Sequence, residues 1–437
     1  MKIRNVLIVS IAFLCAFCAQ VFGQDIRCKK VIMKALEFPG GNKEDGFWAG
    51  ICAASDGRVY LGACTEGGGH AHFYIYDSKT EKIIHRADIA QFLGTAATGT
   101  RTHGKIHTQI REGDDGNIYF ATGSMGAGPI DVDPRSWAGG HWCRYNPKTD
   151  TLEDLGLVAF GTGIYGFDID EGPRHLFGTA FNGHFYVHEL ETGRTFDKGR
   201  IDVCGGWVAR TVVCDDEDNC YGTFVPDRMF KYDAKTGRVY DLSVRLPTDP
   251  ATYPVTGSIY NKLMRMGLWD DVNKKLYGVE GSTSILFEYD PKAGKEGSIK
   301  AVARMMPYQH SEKTKKYHYA TLGMALGLDR KIYYMPFGTM GANERNEGAH
   351  PVYWVGHANL LTYDLNTGQV ENLGYVFTDK GEPVVDFLCR APSGGADTGP
   401  DGTIYFVAWV EEKNPNKVSF HYTNTPASLR LLIYKPS

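Results

Sequence analysis

Two short patterns alternate along the chain. The first is a polar turn followed by a brief apolar strand. It reads "SDGRVYLG" from residue 55, "DDGNIYFATG" from 114, "EGPRHLFGTA" from 171 and "DEDNCYGTF" from 216, then "DVNKKLYGVE" from 271, "LDRKIYYMPFG" from 328 and "PDGTIYFVAW" from 400. The second is an aromatic strand ending near Tyr-Asp and a turn, as in "FYIYDSKTEK", "WCRYNPKTD", "FYVHELETG", "FKYDAKTG", "FEYDPKAG" and "LTYDLNTG". Alternation of apolar and polar residues over such short runs predicts half-buried strands, and the Asp-Gly and Thr-Gly pairs predict the turns between them.

Repeats of roughly 40–60 residues holding three or four strands are the mark of a β-propeller. The turn pattern recurs seven times, so the expected fold is all-β, a seven-bladed β-propeller. Each blade would run strand A, the Asp-Gly turn, strand B, a B–C loop, strand C, the Thr-Gly turn and strand D. The last unit ends as "LLIYKPS" and lacks a strand D, while "KVIMKALEF" at 30–38 has no other assignment. That N-terminal strand is expected to complete the last blade and close the ring, leaving no open sheet edge.

One stretch breaks the simple pattern. In "GKIHTQIREGDDGNIYFATG", Lys105, His107 and Gln109 alternate with Ile106, Thr108 and Ile110. A strand that turns a lysine, a histidine and a glutamine to one side needs somewhere polar to put them. The innermost strands of a propeller line a central channel, which can satisfy such groups.

Composition narrows the setting. Glycine and aromatic residues are abundant (52 Gly, 12% Phe, Trp and Tyr), which suits tight turns and strands. A formal net charge of −4 offers no general attraction to nucleic acid. Residues 1–23 read as a signal peptide: Lys2 and Arg4 precede "VLIVSIAFLCAFCA", and small Gly23 offers a cleavage point. No later stretch is long and apolar enough to span a bilayer. The expectation is a secreted or periplasmic protein whose residues 24–437 form a single domain, with no membrane span and no nucleic-acid partner. Eight cysteines follow the signal, at 28, 52, 64, 143, 204, 214, 220 and 389. In an exported chain some can pair, and Cys214 and Cys220 flank a hairpin turn that could set them face to face. The acidic "CDDEDNC" around them follows no EF-hand spacing.

Strand A starts and B–C loops emerge on one face of a propeller. The strand starts supply His103, Lys105, His107, Tyr165, Arg210, Arg265, His318 and Arg390, and the loops supply His70, His72, His141, His184, Arg228, His350 and His357. Trp137, Trp142 and Trp354 lie in the two longest loops, where they could stack on sugar rings. These positions hold no pair of opposed carboxylates for a glycosidase and no GxSxG elbow for an esterase. Arginine, histidine and tyrosine together suit proton abstraction beside a carboxylate. A cation neutralises the carboxylate, and a base and an acid handle the proton and the leaving oxygen.

An inner-strand histidine in "KIHTQ", a loop histidine in "GGHW" and an arginine in strand A two blades further on resemble the β-propeller polysaccharide lyases that cut ulvan. The pattern is similar, too, to propellers acting on rhamnose–glucuronate linkages, which include lyases and rhamnosidases. The resemblance implies a lyase cleaving next to a uronic acid by β-elimination in a uronate polysaccharide or oligosaccharide. By that resemblance His107, His141 and Arg210 hold and neutralise the uronate, and a blade-3 residue serves as base and acid: Tyr165, His184 or Tyr186. His103, Lys105, Arg265, His318, His357, Arg390 and Trp137 would contact substrate. The lyases need no cofactor, although some relatives carry structural calcium or zinc, and the protein is expected to act as a monomer. Two alternatives stay open, a propeller α-L-rhamnosidase and a carbohydrate-binding propeller without turnover.

Overall fold

The computed structural model describes residues 29–40, 46–65, 69–95, 103–123, 137–172, 174–202, 209–224, 226–247, 262–281, 283–305, 320–336, 355–387, 393–411 and 427–436. Strands dominate, and the helix among these residues is the single turn Ile89–Phe92, capped by the Asp88 carboxylate. No helix among them is long and apolar enough to cross a membrane.

Five four-stranded antiparallel sheets follow one another along the chain. The first is Gly46–Ala53, Arg58–Cys64, His72–Asp77 and Lys82–Asp88. The second is Arg111–Glu112, Ile118–Ala121, His141–Asn146 and Thr151–Leu157, and the third is Ile164–Ile169, His175–Ala180, His184–Glu189 and Arg194–Arg200. The fourth is Val212–Cys214, Cys220–Phe224, Arg228–Asp233 and Arg238–Arg245, and the fifth is Met264–Asp270, Lys275–Glu280, Ile285–Asp290 and Ser298–Arg304. The third sheet buries its first two strands and leaves the fourth half-exposed, as a propeller blade does.

Seven separate blades are expected, and five are found. The remaining strands form one ten-stranded sheet, because Lys30–Glu37 is paired along both halves. Its first half runs parallel to Val370–Thr378, with Lys30 opposite Tyr375. Its second half runs antiparallel to Ala427–Tyr434, with Lys34 opposite Ile433. First strands pack side by side: Ile164–Ile169 touches Val212–Cys214, which touches Met264–Asp270, which touches Met324–Leu326. Met324–Leu326 touches Ser393–Thr398, and that strand touches Gly46–Ala53.

The turn aspartate and the tyrosine that follows it in strand B have a direct physical role. The tyrosine hydroxyl at the centre of strand B donates back to the turn aspartate: Tyr60 to Asp56 at 2.8 Å, Tyr119 to Asp115 at 2.7 Å and Tyr333 to Asp329 at 2.8 Å. Tyr221 does the same to Asp215 at 2.9 Å. A buried hydroxyl must find a partner, so the turn residue and the core residue select each other. Cys214 and Cys220 face each other in register across this turn of the fourth sheet and form a disulfide, with Cα atoms 4.1 Å apart. Cys52, Cys64 and Cys143 are buried free thiols, and Cys28, Cys204 and Cys389 lie outside the described residues.

Candidate active site

The segment 103–110 is not a regular strand. It touches its neighbours through isolated bridges, Lys105 with Cys64 on one side and with Gly123 on the other, so it wedges between the first and second sheets. The side-chain alternation nevertheless holds. Ile106 and Ile110 enter the core with Phe73 and Phe120. Gly62 has to be glycine here, because a Cβ at that position would meet Ile106 Cγ2 at 2.5 Å. Gln109 accepts from the Phe167 amide at 3.1 Å and reaches Met266 Sδ at 3.9 Å. A wet channel is not what these residues line: Lys105 is 6% exposed, and His107 and Gln109 are 1% exposed.

Around Lys105 and His107 the fold gathers side chains from distant parts of the chain. The Tyr165 ring stands edge-on to His107 at 4.1 Å between centres. The Arg210 guanidinium carbon lies 4.3 Å from the centre of the Tyr165 ring. The Lys105 ammonium sits 5.7 Å from the Tyr165 ring centre and 5.3 Å from that of Trp48. Trp48 in turn stacks on His107, 5.3 Å between centres and 18° between planes. Arg265 is 1% exposed, and its Nε donates to the Ala320 carbonyl at 3.1 Å. Phe181 closes the far side of Tyr165 at 3.9 Å.

The charges that act on these two rings are positive. Burial pushes the His107 imidazole well below its ordinary range, and the nearby cations Lys105, Arg210 and Arg265 add to that, so the ring is neutral. Burial pushes the Tyr165 phenol up. The charges of Lys105 and Arg210, a hydrogen bond with Arg210, and Arg265 outweigh it and leave the phenol below its ordinary range. A buried tyrosine that ionises early is matched to removing a proton.

A second group lies alongside. His103 Nδ1 is 2.9 Å from the Thr122 hydroxyl, which also accepts the His141 amide at 2.8 Å. Burial and His141 push His103 down to about 3, so its ring is neutral. The His103 ring lies 5.3 Å from that of His141 and 5.7 Å from that of Trp137, both edge-on. His141 Nδ1 is held by Asp154 at 2.8 Å.

Other expected residues fall elsewhere. His184 Nδ1 lies 2.9 Å from Asp197, and the Tyr186 hydroxyl accepts from Asn182 Nδ2 at 2.8 Å. The His184–Asp197 contact repeats the His141–Asp154 contact at the same place in the next blade, and both span 13 residues. His72 with His85, Arg228 with Asp241 and Asn359 with Asn372 occupy the equivalent place in other sheets. In each case the first residue of the third strand grips a residue at a bulge in the fourth. The pairing is therefore part of how these sheets are built, whatever the residue. His70 is held by Asp88 at 2.7 Å. His318, His350, Arg390 and Trp354 lie outside the described residues, as does the His357 side chain. Among the described residues no group of three or more His, Cys, Asp or Glu is placed to hold a metal ion.

Trp48 and Asp154 are the contacts that sequence patterning misses. The only local sign of Trp48 is a bulky aromatic among small residues in "GFWAG". Asp154 carries none.

The sequence matches no protein-family model and no curated protein. Solved structures of similar fold include a fungal alcohol oxidase of the AA5 family in complex with copper. It is 14% identical with a TM-score of 0.53, and the match covers 93% of this chain and 77% of that one. The RRP9 WD40 repeats are 9% identical with a TM-score of 0.50, covering 92% and 97%. The β-propeller domain of Cps50 (Swd1) from Myceliophteria thermophila is 9% identical at 0.50, covering 91% and 100%. At such identities a likeness carries the fold and not the chemistry. With the sheet arrangement, it identifies the chain as an all-β propeller.

Proposed function

We propose that this protein is an exported polysaccharide lyase that cleaves beside a uronic acid by β-elimination. The observation that carries the proposal is Tyr165 packed against Arg210 and Lys105, with neutral His107 on its edge and Arg265 close by. Arg210, Arg265 and Lys105 neutralise the sugar carboxylate, which makes the neighbouring C–H acidic. Tyr165 as phenolate takes that proton, the C–O bond to the leaving sugar breaks, and a C=C bond remains in the ring. The tyrosine then returns the proton to the leaving oxygen. The role carried to a blade-3 residue by resemblance goes to Tyr165, because it meets Arg210 and Lys105, whereas His184 contacts Asp197 and Tyr186 contacts Asn182.

The same proposal takes the ring as seven units. The ten-stranded sheet then holds the last two, fused through Lys30–Glu37, whose second half closes the ring against Ala427–Tyr434. The contacts from Met324–Leu326 through Ser393–Thr398 to Gly46–Ala53 support it.

Ulvan and glucuronate-rich gums are the test substrates, followed by the ultraviolet absorbance of an unsaturated uronate and by product mass. An unsaturated product supports the proposal. Free rhamnose with water added points to the rhamnosidase, and retention without turnover points to a carbohydrate-binding propeller. The binding alternative gains some support from the sheet-building role of the His141 and His184 contacts.

A further inference from the structure

Trp48 brings an uncommon combination to the site. Its indole is stacked flat on His107, its face lies 5.3 Å from the Lys105 ammonium, and its Nε1 is buried without a hydrogen-bond partner. A buried, unmatched N–H costs about 1–3 kcal/mol. The ring is therefore not held there by its polar atom. Lys105 is 6% exposed, yet no carboxylate among the described residues lies within ion-pair distance of it. Its charge faces two aromatic rings, those of Trp48 and Tyr165, and rings attract a desolvated cation through their negative faces.

We propose that Trp48 is a positioning residue: its indole face, braced on His107, holds the Lys105 ammonium against Tyr165. Lysine has a flexible stem, and Arg210 and Arg265 repel its charge from the same region. Without a flat wall behind it, the ammonium would swing away from the two arginines. Tyr165 is faced by Lys105 and His107 from the segment 103–110, by Arg210 before Val212–Cys214, by Arg265 in Met264–Asp270 and by uncharged Phe181. Among these groups, Lys105 brings its charge to the face of Trp48.

The inference uses the same site as the proposed lyase, but its test needs no substrate. The ionisation of Tyr165 in the intact chain is followed by phenolate absorbance and by NMR of ring-labelled tyrosine, with Tyr165→Phe identifying the signal. The wild type should show one tyrosine ionising below the ordinary range. Lys105→Met should move that signal upward by about one pH unit. Trp48→Leu should move it in the same direction, and the double variant should go no further than Lys105→Met alone. Trp48→Phe keeps an aromatic face and should restore the wild-type titration. Trp48→Met repeats the test if Trp48→Leu does not fold. The inference is overturned if Trp48→Leu titrates like the wild type while Lys105→Met shifts, or if Trp48→Phe and Trp48→Leu behave alike. It is overturned as well if no tyrosine signal lost in Tyr165→Phe ionises early. A failure to find any eliminated product would sink the lyase and leave this titration result standing.

Discussion

The innermost strands carry opposite kinds of electrostatics at their two ends. Near their starts, Lys105, Arg210 and Arg265 crowd around Tyr165 and His107, and beside burial these cations perturb both rings. A few residues further along, charges come matched. Arg111 grips Asp168 at 2.7 Å, and the other oxygen of Asp168 accepts the Cys214 amide at 2.8 Å, tying the second, third and fourth sheets together. Asp397 accepts the Ala53 amide at 2.8 Å, and Arg330 holds Asp270 with two bonds of 2.6 and 2.7 Å. Matched charges tie neighbouring blades together. Like charges crowded into a buried place cost stability, and folds retain them where they serve a site.

The contrast can be broken in several ways. The largest effect is expected from Tyr165→Phe, which should lower the rate of elimination by about 10²–10⁴-fold while the unfolding curve stays put. The mirror experiment is Asp168→Ala. It strands Arg111 and the Cys214 amide, so it should cost on the order of 3 kcal/mol in denaturant unfolding, with the chemistry intact in the folded fraction. Loss of activity in excess of the unfolded fraction would blur the division between the two ends. Lys105→Met should fall between these in effect. It should lower activity by about tenfold and leave stability unchanged or slightly higher, because a like charge has left the cluster.

A pH series sharpens the same comparison. His103 is pushed down to about 3 and His188 to about 4, both mainly by burial. The unfolded chain binds those protons near the ordinary value of 6.5, so acid favours unfolding. Stability should be lost as pH falls from about 6.5 towards 4, and His103→Asn should flatten part of that slope, a shift of about 2 °C or more in midpoint. The smallest effect is expected from His184→Asn. The half-exposed pair with Asp197 contributes about 1 kcal/mol at most, and elimination should not change measurably. A large loss of activity there would return His184 to the catalytic group.

The repeat was readable because it is local. An Asp-Gly turn, a short apolar strand and an aromatic strand each sit within a few residues, and the tyrosine that bonds back to the turn aspartate lies four positions away in "DGRVY" and "DGNIY". Blade separation was not readable. Whether Lys30–Glu37 pairs on one edge or both depends on strands more than 300 residues away, which no local pattern reports. Among the candidate residues, Lys105, His107, Tyr165, Arg210 and Arg265 converge because each stands near the start of an innermost strand or of the segment leading into one. The histidines at the starts of third strands look alike in sequence, but the bulge of the neighbouring strand gives them carboxylate partners 13 residues on.

Turn chemistry and apolar alternation act over a few residues, so the chain by itself dictated strands, turns, a repeating blade and a set of polar residues too costly to bury without a purpose. Packing between the sheets decided the rest. It brought Trp48 against His107 and close to Lys105, set Tyr165 near three cations, and joined the strands of the ten-stranded sheet. Those outcomes rest on distances between residues far apart in sequence, and charge and stacking energies exist only once the ring has brought them together.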